Sequence, residues 1–144
     1  MLKVLISTTI KYFSMILVVH SFYIFLRGHN EPGGGFIGGL ILTLAAILYY
    51  MYSKRSVLLE RLLSNFHLLI SSLILIIIFV AIFPLLKGDD FLKGVWTSLK
   101  LPVAGKFSSI LVFDTVIYLI VGLSVFVSFA AIQKKVLTKN KEIS

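Results

Sequence analysis

The sequence predicts an all-α integral membrane protein with four transmembrane helices. Three observations carry that prediction. Of its 144 residues, 58% are hydrophobic, against about 45–50% in an ordinary soluble domain. The mean hydropathy is +1.02. Four apolar runs also reach the roughly 20 residues that a helix needs to cross a bilayer. They cover about 4–26, 33–52, 66–86 and 110–132. Too little polar sequence remains for a separate soluble unit, so residues 1–144 read as a single membrane domain.

The first run interrupts its apolar character with Lys11. It is too long for a cleaved signal peptide, and no small-residue cleavage site follows it. The second run starts in glycine. The third, through Leu73-Ile74-Leu75-Ile76-Ile77-Ile78-Phe79-Val80, is apolar on every face. A lone strand of that composition would leave its backbone unbonded in lipid, so a spanning helix is required. The fourth contains Asp114.

Between the third and fourth runs, Leu92, Val95, Trp96 and Leu99 recur at helical spacing, with Lys93 and Lys100 beside them. That pattern predicts a short amphipathic helix on the membrane surface, with Trp96 at headgroup level. An irregular loop packed on a partner subunit is the other reading.

Basic residues set the orientation. Four spans put both termini and the second loop on one side. That side carries eight basic residues: Lys3, Lys54, Arg55, Arg61, Lys134, Lys135, Lys139 and Lys141. The opposite side carries five: Arg27, Lys87, Lys93, Lys100 and Lys106. Basic loops stay in the cytoplasm, so both termini are expected there. The formal charge of +8 is thus a membrane-flanking charge and does not indicate a nucleic-acid partner. With no cysteine in the chain, disulfides, thiolate nucleophiles and cysteine metal sites are excluded.

The turn between the first two runs is the most distinctive segment. It reads Gly28-His29-Asn30-Glu31-Pro32-Gly33-Gly34-Gly35-Phe36-Ile37-Gly38-Gly39. Pro32 fixes its own φ and biases its predecessor away from helix. The glycines permit left-handed backbone and close approach. Gly34/Gly38 and Gly35/Gly39 are small-xxx-small pairs, which let helices touch closely in lipid. His29-Asn30-Glu31 is too sparse to define a metal site, and no P-loop lysine follows the glycines. No nucleophile–base arrangement is readable, and neither a cofactor nor a metal is expected.

Three side chains at membrane depth are candidates for an ion path. Asp114 reads either as a proton-carrying carboxylate or as a cap or ion-pair partner near a helix start. His20 and Asp114 lie at similar depth from the same face, so they meet if the first and fourth spans are neighbours. His20 is then either a relay or a packing residue. Lys11 either snorkels to the near face or pairs with a partner's carboxylate. His67 is expected at the interface, and the basic C-terminal tail is expected to act as a topological anchor.

The glycine turn closely resembles the GHxxPGGGFxGGL signature of the MnhB/MrpB subunit of multisubunit, Mrp-type cation/proton antiporters. Phe113-Asp114-Thr115-Val116-Ile117-Tyr118-Leu119 is similar to that family's FDxGVxL stretch, with Val116 where glycine is usual. Lys106-Phe107-Ser108-Ser109 stands where members often show histidine before small hydroxyl residues. The resemblance implies a small integral subunit of a hetero-oligomer in a bacterial or archaeal cell membrane. Its partners would be the other antiporter subunits and the lipid bilayer, and the complex would exchange sodium ions for protons. The subunit would scaffold the complex and line part of an ion path. Two rival readings stand beside it: a structural subunit of a complex-I-like hydrogenase or redox assembly, and a stand-alone four-helix exporter.

Overall fold

The computed structural model describes residues 1–28, 32–53, 64–101 and 105–143. Four helices in it are long and apolar enough to cross a membrane. They are α1 (Leu2–Arg27), α2 (Gly34–Ser53), α3 (Phe66–Ile82) and α4 (Ser109–Ile143). The expected His29 turn residue and the basic residues Lys54, Arg55 and Arg61 lie outside the described residues.

Each helix boundary has a local cause. α1 stops at Gly28, whose N–H returns to Ile24 O and Phe25 O. α3 ends earlier than the apolar run suggests. Pro84 lacks an N–H and cannot continue the ladder. The chain tightens there into a single 3-10 turn, Leu85–Lys87, which Gly88 closes at φ 77°. α4 is capped at its start: Ser108, fully buried, accepts the Leu111 N–H on its Oγ at 3.2 Å. A serine at that position satisfies one of the free N–H groups of the first turn. At its other end α4 continues beyond the apolar run, which reaches about 132, to Ile143. Gln133, Lys134 and Lys135 are good helix formers, so the helix leaves the apolar zone without breaking.

The segment between α3 and α4 corrects the expectation of an amphipathic helix. Trp96–Leu101 forms strand β1 and Gly105–Ser108 forms strand β2. They pair antiparallel, Trp96 opposite Ser108 and Leu101 opposite Gly105, with a register shift between Trp96 and Lys100. Three local facts override the helical spacing. Leu92 sits at φ 63°, which a helix does not tolerate. Val95, Trp96 and Thr97 favour extended backbone. Leu101 precedes a proline and is biased the same way. The hairpin is then tied to α4: Ser109 N–H donates to Val95 O at 2.9 Å, and Val95 N–H donates to Ser109 Oγ at 3.0 Å.

α2 is the centre of the bundle and packs along both α1 and α4, whereas α3 lies against α4. The core is small. Phe25, Leu111 and Tyr118 are buried together, with Leu26 and Leu42 against them. Most other buried side chains are alanine, serine or threonine: Ala45, Ala130, Ser14, Ser21 and Thr43. Helices in lipid gain little from hiding leucine from leucine-like solvent, so small residues that allow close contact prevail at their interfaces.

Candidate functional site: the seam between α1, α2 and α4

The glycine turn delivers α2 into a notch between α1 and α4. Gly34, Gly35, Gly38 and Gly39 are all buried there. Gly34, at φ 84°, turns the chain into the helix in a conformation that L side chains rarely adopt. At the other positions space is the constraint. A Cβ on Gly28 would collide with the Gly34 backbone. One on Gly35 would collide with Asp114 O and come within 2.8 Å of Asp114 Oδ1 and 3.0 Å of Tyr118 N. One on Gly38 would lie 3.1 Å from Phe25 Cβ, Ser21 O and Tyr118 Cδ2, and one on Gly39 would lie 2.8 Å from Tyr118 O. The glycines of one face of α2 therefore touch α4 backbone directly. Pro32 precedes this entry as an exposed bend, with Gly33 between it and the helix.

Asp114 closes the seam at its upper end. Its Oδ1 accepts the Gly35 N–H at 2.8 Å. Gly35 is in the first turn of α2, where N–H groups lack helical partners and the helix dipole is positive. A carboxylate from α4 thus caps α2 across the helix interface. Thr115 does not join it, because its hydroxyl donates to Leu111 O at 2.7 Å within α4.

One turn deeper, Ser21 Oγ lies 2.8 Å from Gly38 O and 2.7 Å from the Tyr118 hydroxyl. A serine hydroxyl has one proton. Ser21 spends it on the Gly38 carbonyl, so Tyr118 donates to Ser21. The relay Tyr118–Ser21–Gly38 links α4, α1 and α2 through fully buried polar atoms. The rings of Phe25 and Tyr118 pack beside it at 4.9 Å. Deeper again, Thr43 Oγ1 shares its proton between Gly39 O at 3.0 Å and Gly122 O at 3.2 Å.

The other sequence candidates lie elsewhere. His20 is exposed and stacks on Tyr23 at 6.4 Å, facing away from the seam. α1 and α4 do meet at Tyr118, but it is Ser21 that reaches α4 while His20 points outward; helical neighbours are separated by about 100°. Lys11 is exposed on a groove between α1 and α2. His67 is exposed at the start of α3. Sequence reading overlooked Ser21 and Thr43. One signal was available: Ser14, Ser21 and Gly28 recur every seven residues, with Phe25 on the same face. That is the stripe of α1 that packs.

These features define a small multi-pass membrane protein whose helices are joined by a close-packed glycine and hydroxyl seam. Residues 5–127 match the family model described as "Domain related to MnhB subunit of Na+/H+ antiporter". The chain belongs to that family. It is also 37% identical over 125 residues to the protein named "Putative antiporter subunit mnhB2" in Staphylococcus aureus strains Newman, USA300 and bovine RF122, covering 85% of this chain and 89% of each relative.

Proposed function

We propose that this chain is a membrane subunit of a multisubunit Na+/H+ antiporter, where it acts as a rigid scaffold rather than as an enzyme or a self-sufficient transporter. Its partners on this reading are the other antiporter subunits, and the complex moves sodium ions and protons. Family membership supports the complex. The observation that carries the scaffold role is the engagement of Asp114 with the Gly35 N–H. The acidic residue of the spans holds two helices together, and the hydroxyls below it do the same. A continuous proton path across ~30 Å of hydrocarbon needs more titratable or hydrated groups than Asp114, His20 and Lys11 supply. Asp114 contributes to any ion path by shaping the seam at its edge. The basic-residue bias supports cytoplasmic termini in a cell membrane.

The test is sodium-induced pH change in vesicles carrying the full set of subunits. Omitting this chain should abolish exchange, and the chain alone in liposomes should show none. Robust exchange by the lone chain would overturn the proposal. Asp114→Asn keeps an oxygen that accepts the Gly35 N–H and should retain most exchange at equal complex abundance. Loss of exchange in Asp114→Asn with full activity in Asp114→Glu would instead make the carboxyl a proton carrier.

A further inference from the structure

We propose that the groove between α1 and α2, on the side of the N terminus, binds an anionic phospholipid, with its phosphate on Lys11 and an acyl chain along the groove. The inference stands independently of the antiporter reading.

The groove has a volume of about 330 Å³ and apolar walls, Lys11 contributing its aliphatic stem. Its walls are apolar along their length, and its charged residue, Lys11, stands at one end. α1 and α2 run in opposite directions, so Lys11 and Tyr49 share one end while Val18 and Leu42 share the other. Seven residues separate Lys11 from Val18 on α1 and Leu42 from Tyr49 on α2, which is ~10 Å by helical rise. Met15 and Ala46 line the stretch between them. The small side chains of Ala45 and Ala46 keep the trough open.

The charged end also lies within reach of the headgroups. Lys11 is seven residues inside the apolar stretch that starts at Val4, hence ~10 Å along the helix. A lysine stem covers much of that distance when it snorkels toward the surface. Tyr49 and Tyr52 lie beside each other at 6.3 Å on the same end of α2, and tyrosines concentrate at the membrane–water boundary.

Charge complementarity selects the occupant. Lys11 is exposed, and its ammonium makes no hydrogen bond or ion pair among the described residues; only its backbone carbonyl is engaged, by the Ser14 hydroxyl at 2.8 Å. A snorkelling ammonium at the headgroup boundary attracts anionic lipid by about 1 kcal/mol. A phosphate without a compensating choline neutralises it, and basic pockets between transmembrane helices bind anionic headgroups by this chemistry.

The test uses Val18→Cys in this cysteine-free chain, labelled with bimane at the deep end of the groove. The full chain, with whatever subunits copurify in mild detergent, is reconstituted into bilayers containing brominated phosphatidylglycerol or brominated phosphatidylcholine. Phosphatidylglycerol should quench at about one-fifth of the mole fraction that phosphatidylcholine needs, the factor expected of one lysine beside an anionic headgroup. Lys11→Gln should remove the difference, and Lys11→Arg should keep it. Equal quenching by the two lipids in the parent chain overturns the proposal. So does quenching by neither, which would place a partner helix over the groove. If Lys11→Gln fails to accumulate, Ala46→Leu fills the trough and leaves the charge. It should weaken quenching by both lipids, and undiminished quenching overturns the proposal.

Discussion

The seam and α3 are built on opposite principles. α3 is the most apolar of the four helices, with a mean hydropathy of 3.0 against 1.8 for α2. Yet α2 is the most buried and α3 the least. Leu75, Phe79 and Ile78 of α3 stand exposed, while Ser21 and Thr43 of the seam are buried. In water the ranking would be reversed, because apolar burial drives folding there. Lipid tails offer leucine the same environment that a neighbouring helix does. What then holds two helices together is close backbone approach and polar groups that have no other partner. α3 is fit to enter the membrane, and α2 is fit to pack once inside it.

The largest effect that tests this contrast is expected at Gly35. Leucine there meets Asp114 O and Tyr118 N, which are backbone atoms that cannot swing aside, and the Asp114 Oδ1 that caps α2. Gly35→Leu should destabilise the bundle by about 3 kcal/mol or more, read as the midpoint of unfolding in a detergent titration. Near-normal stability would mean that α2 and α4 do not touch at this position.

A smaller effect is expected in the relay. Ser21→Ala and Tyr118→Phe each remove one link of the same chain, so their losses should not add. A double-mutant cycle should give a coupling of about 0.6–1.7 kcal/mol, the range of buried hydrogen bonds between membrane helices. Zero coupling would show that the two hydroxyls act separately and that the rings of Phe25 and Tyr118 alone join α1 to α4.

The smallest effect sharpens the other side of the comparison. Leu75→Ala trims a large side chain from α3 that is 66% exposed. Its surroundings are lipid before and after packing, so the same titration should shift by less than about 0.5 kcal/mol. A loss of several kcal/mol, as in a soluble core, would mean that a partner covers this face of α3.

The four spans were legible in the sequence for a simple reason. Length and apolar character are properties of each segment by itself, and the bilayer demands both. The glycine run carried an expectation of close contact without naming which helix it would touch. The segment between α3 and α4 was misread because a four-residue helical spacing is a weak signal, and Leu92, Gly94 and the proline after Leu101 favoured a hairpin. α4 continues as a helix past the end of its apolar run, because hydropathy marks where a helix leaves lipid and not where its backbone bonds stop.

The tertiary structure alone decided which side chains meet. Sequence depth placed His20 and Asp114 at one level, yet rotation of α1 by one residue sets Ser21 against α4 and His20 against the outside. Asp114 could be recognised as an acid in a span, but its bond to Gly35 in the first turn of α2, 79 residues away in the chain, depends on where the two helices cross. Depth along a helix is a one-dimensional count that the sequence carries. Azimuth and crossing point are set by how glycine ridges and hydroxyl bonds fit between helices, and those exist only when the helices are packed together.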